Sequence, residues 1–489
     1  MPQLDSLKDK AISGVSWSSI EKAFNEIVQF AIGIVLARLL SPSDYGTVGL
    51  LAIFFAVAGI FQDSGFASAL IQKKDRNQAD FSTVFFFNLG MSLVIYGILF
   101  VSAPYIASFY NLPILKDITR VSALGFIIGG LTGVQYAKLS AEMKFKTISL
   151  LSMAGLVVTG ATGIILALMG WGVWALVFQG LVGSSIKGIT VWIVSRWKPS
   201  FIFSRKSFKQ LFSFGGFLLL SRMINTIYNN LYTLVIGKVY NPQTVGYYNR
   251  ANGYAQIPTN LILGLAVNVN YPILSSVQDD DERLKRAYRK LLRVPLYLHY
   301  PTLMGLAVLA APLIEVMIGK KWLPCVPILQ ILCFAGLFIP LTHINLNLLY
   351  VKGRSDLVLR LELIKKPLAF LILFASIPFG ILWLVAGRVL YSFIGFYINC
   401  YYTKKILDYG FVEQIRVLIP VFVNTAIMSA LVFASTMFIE NIYLKLCIGI
   451  PVGIISYWLL SVITKDESYD DVKEIIKSKL KPVLKRKSK

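Results

Sequence analysis

The stretch WSSIEKAFNEIVQFAIGIVLARLLSPSDYGT, Trp17 to Thr47, decides the fold, because a second copy of it, Phe217 to Tyr247, begins 200 residues later. At that offset Lys22 falls on Arg222, Asn25 on Asn225, Gln29 on Asn229, Arg38 on Lys238, Pro42 on Pro242 and Gly46 on Gly246. In each copy a mostly apolar helix carries a polar stripe at spacings of three and four: Lys22, Asn25 and Gln29 in one, Arg222, Asn225 and Asn229 in the other. Matching cations on matching faces are expected to line one cavity inside a membrane and to hold an anionic headgroup there.

The rest of the chain supports a membrane setting. Of 489 residues 56% are hydrophobic and 15% charged, with a mean hydropathy of +0.66, far too apolar for a soluble multidomain protein. A helix needs about 20 apolar residues to cross the hydrocarbon, and windows of that length give about fourteen spans. The short alternating runs of a membrane barrel are missing, so the fold class is all-α and polytopic. The first span, near 11–37, is too long and too interrupted by Glu21, Lys22 and Glu26 for a cleavable signal, and is expected to remain in the mature protein. Cys325, Cys333, Cys400 and Cys447 sit in apolar segments without CxxC spacing, which suggests packing rather than a disulfide framework or zinc site.

A formal net charge of +23 raises the question of nucleic acid, but the basic residues concentrate in alternate loops. Lys73, Lys74 and Arg76, then Lys138, Lys144 and Lys146, then Arg196, Lys198, Arg205, Lys206 and Lys209 fall on one side. The opposite loops hold one or two each, such as Arg38, Lys116 and Lys238. This is the positive-inside pattern, and it places both termini in the cytoplasm, with membrane lipid rather than nucleic acid as the basic residues' partner.

Six spans near 11–37, 46–71, 82–104, 118–138, 148–169 and 172–195 are followed by six near 211–237, 246–273, 293–318, 326–351, 358–378 and 381–402. The tight connections Gly170 to Gly172 and Pro378 to Gly380 occupy matching places. Six is even, so the copies share one orientation: parallel repeats about an axis along the membrane normal, with a substrate site near the midplane where the repeats face. The expected domains are an N-lobe over 1–200, a C-lobe over 201–405, two further spans within 406–464, and a basic cytoplasmic tail over 465–489. The tail, with Val472, Ile475, Ile476, Leu480 and Val483 on one face, reads as an interfacial helix on anionic lipid; Gln278 to Arg293 reads as a charged cytoplasmic helix. For both, the simpler reading is a solvated positive-inside segment.

Charges within spans are informative, since each costs about 2.5–3.5 kcal/mol at a helix centre. The cations are Lys22, Lys187, Arg222, Lys365, Lys366 and Arg388, with Arg250 nearer an interface; the anions are Glu21, Glu26, Asp63 and Glu362. For Lys22 and Arg222 the choice lies between substrate contact and structural ion pairs, Lys22 with Glu26 one turn on. The repeat favours substrate contact. Lys187 and Arg388 divide evenly between the two. Lys365 and Lys366 lie near a span end and are expected to snorkel into the headgroups. Glu21, Glu26 and Asp63 either neutralise the cations or couple transport to H+ or Na+. Asn249, Asn252, Gln256 and Asn260 form a second polar line suited to sugar hydroxyls or to interhelical bonding. Trp171, Trp174, Tyr240, Tyr247, Tyr248 and Trp322 read as belt residues. His299 and His343 read as isolated core residues. With no nucleotide loop, nucleophile–base pair or metal cluster in view, an enzyme is not expected, and neither is a resident cofactor.

The run from KDKAISGVSW through LARLLSPSDYG to GFASALIQKKD, with NPQTVGYYNRA at Asn241 to Ala251, resembles the Wzx-type polysaccharide-repeat flippases, particularly the colanic and teichuronic acid branch, of the MOP transporter superfamily. The resemblance covers nearly the whole chain. It implies two six-helix lobes in a V and export of undecaprenyl-pyrophosphate-linked oligosaccharides from the inner to the outer leaflet of a bacterial inner membrane by alternating access. It also implies a cationic cavity, to which Lys22, Arg222, Lys187 and Arg388 are the candidate contributors. A polysaccharide polymerase and glycosyltransferases are candidate protein partners. The alternatives are a cation-coupled multidrug exporter of the same superfamily, which would want an acidic cavity, and a non-transporting scaffold for glycan assembly.

Overall fold

The computed structural model describes residues 2–63, 66–73, 75–205, 223 and 226–474, with the side chains of 2–12, 15, 63, 67–68 and 265–270 outside the description. Among the described residues the chain is helical without strands. By contacts it divides into two compact units, Met1–Gly246 and Tyr247–Lys489. Among the described residues eight helices are long and apolar enough to cross a membrane, ten if each of two bent pairs counts as one span. The expected seventh span lies mostly outside the described residues, and an expected span such as 358–378 carries Arg360, Glu362, Lys365 and Lys366, too many charges to pass on composition alone.

In the first unit, α1 (Pro2–Leu39) turns through 117° into α2 (Pro42–Leu50), α1 being measured from Ser16. The turn follows from SPSDYG. Ser41 caps α2, its hydroxyl accepting from the Asp44 N–H at 3.2 Å while the Asp44 carboxylate accepts from the Ser41 N–H at 2.8 Å, and Pro42 supplies the fixed φ of a first helical residue. The expected span 46–71 is broken into α2, α3 (Ala52–Asp63) and α4 (Phe66–Gln72). In α4, Phe66 and Leu70 are buried against Val84, Phe85, Val134 and Trp197, which explains the apolar positions of GFASALIQ.

The hairpin of α5 (Gln78–Phe109) and α6 (Leu115–Ala141) and the pair α7 (Phe145–Leu168) and α8 (Val173–Ser195) complete the body of this unit. Small residues set the distance between α7 and α8: a side chain at Gly163 would strike Gln179, and one at Gly183 would meet Thr159. The connection Gly170 to Gly172 is tight because both glycines take positive φ, 79° and 52°, and Gly380 does the same at 95° in the second unit. The start of the basic linker is pinned rather than loose. Ser200 N–H donates to the Ser82 hydroxyl at 3.0 Å, Ser204 N–H to the Thr83 hydroxyl at 2.9 Å, and the Trp197 indole to Gln78 at 2.7 Å.

The described part of the next helix, α9 (226–239), leads into α10 (Pro242–Ser276) through the second copy of the turn. Within the first unit the two copies of that turn lie backbone to backbone. A Cβ at Gly46 would run into the Pro242 carbonyl, and one at Gly246 into the Pro42 carbonyl. The glycines of the repeat are thus explained by close approach. Beside them the Lys238 ammonium donates to the Phe109 carbonyl at 2.6 Å.

In the second unit α11 (Asp281–Val308) begins in the charged segment and runs on into the membrane span, bent by 72° into α12 (Ala310–Ile318). A short 3-10 turn, Lys320–Cys325, precedes α13 (Val326–Gly336), α14 (Ile339–Val351), α15 (Ser355–Ser376) and α16 (Ile381–Leu407). The last two spans, α17 (Phe411–Met437) and α18 (Ile442–Ile463), pack on α11, with the Tyr297 hydroxyl donating to Ser461 at 3.0 Å and the Tyr457 hydroxyl to the Tyr297 carbonyl at 2.9 Å. Buried Asn345 accepts from Tyr288, from Thr403 at 3.2 Å and from Gln414 at 3.1 Å, joining α11, α14, α16 and α17 through one carbonyl oxygen.

The described start of the tail is α19 (467–474). Its carboxylates face α11: Arg289 pairs with Glu467 at 3.1 Å, Lys290 with Glu474 at 2.9 Å, and Arg293 with Asp471 at 3.2 Å and with Glu467. The acidic residues of the tail therefore neutralise the cations of Gln278 to Arg293, which are only partly free for a solvated basic loop. The remainder of the tail, including Ile475, Ile476, Leu480 and Val483, lies outside the described residues.

Candidate functional site

Helix α1 divides its polar residues between two faces. Glu21 accepts a hydrogen bond from the Ser149 hydroxyl at 2.8 Å and the Asn25 amide donates to Ser152 at 3.3 Å, so residues one turn apart clasp α7. Lys22, Glu26 and Gln29, again at spacings of four and three, lie exposed on another face. The expected stripe of Lys22, Asn25 and Gln29 is thereby split: Asn25 is an interhelical contact, and Lys22 and Gln29 remain on an open surface. Among the described residues Lys22 forms no ion pair with Glu26. Asn229, the counterpart of Gln29, is also exposed. Arg222 and Asn225 lie outside the described residues, as does the side chain of Asp63.

Lys187, on α8, lays its methylenes along α7, where a Cβ on Gly155 would meet them at 3.0 Å. Its half-buried position follows from a glycine opposite a long side chain. Arg388, on α16, donates to the Tyr248 hydroxyl at 2.8 Å and to the Asn252 carbonyl oxygen at 2.9 Å, tying α16 to α10. Of the polar line in α10, Asn252 is thus an interhelical partner. Arg250 lies over the Trp322 ring at 5.4 Å.

The second unit contains a centre that the sequence reading placed elsewhere. Lys365 does not snorkel: it is 3% exposed and pairs with Glu362 at 2.6 Å, while Lys366 reaches the other oxygen of the same carboxylate at 3.4 Å. Spacings of three and four on one helix put both ammonium groups within reach of Glu362, and neighbouring helices cover Lys365 before it can extend to the interface. Lys365 lines a cleft of about 110 Å³ together with Phe338, Ile339, Thr342, His343, Tyr391, Ser392 and Gly395. The cleft sits beside Leu337 and Phe338, a turn just before Pro340 between α13 and α14, which together form one span within Lys320–Val351. Two signals were present in the sequence, that proline and the Glu362–Lys365–Lys366 spacing.

Apolar helices long enough to cross a membrane, two of them sharply bent, with ion pairs and polar side chains inside the bundle, define the class: a multi-pass helical membrane protein. The chain resembles the lipid II flippase MurJ in an inward closed conformation with a TM-score of 0.72 at 18% identity, covering 92% of this chain and 98% of that one. It resembles an inward-facing multidrug resistance MATE family transporter of the MOP superfamily with a TM-score of 0.62 at 15% identity, covering 81% and 99%. Residues 35–327 match the family described as polysaccharide biosynthesis protein, and the chain belongs to that family. Among its relatives are the teichuronic acid biosynthesis protein TuaB of Bacillus subtilis, 28% identical over 94% of this chain and 96% of that one. The lipopolysaccharide biosynthesis protein WzxC of Escherichia coli is 27% identical over 74% of each.

Proposed function

We propose that this protein is a flippase that moves lipid-linked oligosaccharide units across the cytoplasmic membrane by alternating access, for assembly of a surface polysaccharide. What carries the reading is that relatives matched along most of their length are named for polysaccharide and lipopolysaccharide biosynthesis, on a fold shared with a lipid II flippase. The physics agrees. A few sugars carry about ten hydroxyls, each costing several kcal/mol to move unpaired into hydrocarbon, so unaided flipping is negligible. A polar path replaces those hydrogen bonds while the prenyl tail stays in lipid.

The exposed cation Lys22, with its repeat counterpart Arg222, is assigned to the pyrophosphate, because paired cations strengthen their hold as water is excluded and loosen it as water enters. Glu21 is committed to Ser149, which leaves Glu26 on the open face of α1 as the nearer candidate for H+ or Na+ coupling. The basic-loop bias supports cytoplasmic termini. A glycan polymerase and glycosyltransferases are the proteins such a flippase would serve.

Translocation of a fluorescent lipid-linked oligosaccharide between leaflets of proteoliposomes tests the reading. Wild-type protein should accelerate it, and Lys22→Gln should slow it by about tenfold or more, as expected for loss of a charge-assisted contact. No acceleration by well-inserted wild-type protein would refute the flippase, and a wild-type rate in Lys22→Gln would remove that residue from the path.

A further inference from the structure

Helix α11 changes character along its length. From Arg283 to Arg293 every charged residue is a cation, and from Val294 to Val308 no Asp, Glu, Lys or Arg follows. Arg286, Arg289, Lys290 and Arg293, at spacings of three and four, share a face just ahead of the apolar turns. Where a helix enters a bilayer such cations lie at headgroup level, and an anionic leaflet attracts each of them.

The chain itself covers part of this face. Glu467, Asp471 and Glu474 follow one another at spacings of four and three on α19 and meet Arg289, Lys290 and Arg293, three carboxylates against three cations. Lys290 reaches Glu474 at 2.9 Å and Asp471 at 3.2 Å, and Arg293 is shared between Asp471 and Glu467. An acidic helix seated on these turns is direct evidence that they take a row of anions.

The cover is weakly held. The side chains of Glu467 and Glu474 are 65% and 74% exposed, so water screens their pairs, and an exposed ion pair contributes little. Within 467–474 Ser468 alone is buried, so apolar packing adds little to the charges. An anionic leaflet offers each cation an attraction of the same order. Arg293 sets the terms of the exchange. Its side chain is 12% exposed, and a largely buried cation left without a partner is costly, so the cover leaves when another anion takes its place rather than by simple fraying.

We propose that the basic face of α11 is a docking site for anionic phospholipid headgroups, and that α19 is a displaceable cover whose release registers membrane charge. In the covered state the three carboxylates stand where headgroup phosphates would lie. In the released state Arg289, Lys290 and Arg293 take the phosphates and the carboxylates pass to water. Helix α11 is continuous from Asp281 to Val308, so the exchange acts on a helix of a membrane span. The site stands independently of the translocation reading above.

The test uses the full-length protein with Glu282→Cys and Asp470→Cys for spin labels and Cys447→Ser to remove the exposed native thiol. Double electron–electron resonance in lipid nanodiscs reads the distance from α11 to α19. In phosphatidylcholine a short distance is expected, and in phosphatidylglycerol the ratio of long to short distances should rise by about tenfold or more. Glu467→Gln, Asp471→Asn and Glu474→Gln together should give the long distance in both lipids. The lipid effect should persist when the Lys and Arg residues of 477–489 are replaced by Gln, because it acts at α11. Native mass spectrometry of the partly delipidated protein counts retained phosphatidylglycerol, which should fall by about two- to tenfold in Arg289→Gln with Lys290→Gln. A short distance unchanged by phosphatidylglycerol, or a long one in phosphatidylcholine, overturns the proposal. Loss of the lipid effect with the 477–489 replacements makes that segment the target of the lipid and overturns it too. Equal lipid retention in the Arg289→Gln and Lys290→Gln protein would assign release to repulsion of the acidic segment and remove the lipid site.

Discussion

Replacing Arg388 with methionine separates a structural cation from a substrate-binding one. The guanidinium donates to the Tyr248 hydroxyl at 2.8 Å and to Asn252 at 2.9 Å, and Tyr248 is 2% exposed. A hydrogen bond with a charged partner contributes about 1.5–3 kcal/mol. Arg388 itself is half-buried, so water can replace part of what Asn252 loses. The net expectation for Arg388→Met is a destabilisation of about 1–3 kcal/mol, because Met matches the stem and little packing changes. Denaturant unfolding of the purified protein in detergent, followed by tryptophan fluorescence, measures it. Tyr248→Phe alone should lose about 1 kcal/mol, and the double variant should be non-additive by at least about 0.5 kcal/mol. An Arg388→Met protein within about 0.5 kcal/mol of wild type, and additive with Tyr248→Phe, would refute the interhelical role and return Arg388 to the list of substrate contacts.

Two further outcomes follow from close approach and from charge. Gly46→Ala should destabilise the protein by about 1–3 kcal/mol, because its methyl would meet the Pro242 carbonyl, which as backbone cannot swing aside; Gly59→Ala, with nothing within 4 Å, should be neutral or stabilising in the same unfolding assay, and equal effects would refute the contact. The docking of α19 on α11 should fail in acid. The hydrogen bond from Lys290 and its charge hold the Glu474 carboxyl below its ordinary 4.5. A depressed carboxylate contributes above its ordinary pKa and loses its effect as pH falls through the depressed value, so proteolysis within 467–474 should be slow near neutral pH and quicken once the pH falls below the ordinary carboxylate range. Cleavage independent of pH would show that the ion pairs do not hold the tail.

The sequence by itself determined most of the helices and the turns between them, though not that 46–71 breaks into α2, α3 and α4. A span is a length of apolar residues, a turn is a capping residue with proline or glycine at fixed offsets, and both are local properties; hence SPSDYG bends α1 into α2, and the glycines at 170, 172 and 380 make the tight connections. The 200-residue repeat likewise announced that Pro42 and Pro242, Gly46 and Gly246 share one geometry. What a polar residue does in its span was decided only by tertiary structure, because a helix places side chains around its axis without specifying which neighbour meets which side. Asn25 and Gln29 carry the same chemistry four residues apart, yet one binds Ser152 on α7 and the other stays open. Arg388 found its partners on α10, 136 and 140 residues away in sequence. Lys365 shows the same limit most clearly. Its distance along α15 from the span end suggested a side chain reaching for water, and the packing of α14 and α16 around it left it 3% exposed at the wall of a cleft. The turn at Leu337 and Phe338 beside that cleft is encoded by little more than Pro340, and it leaves Lys320–Val351 a single span.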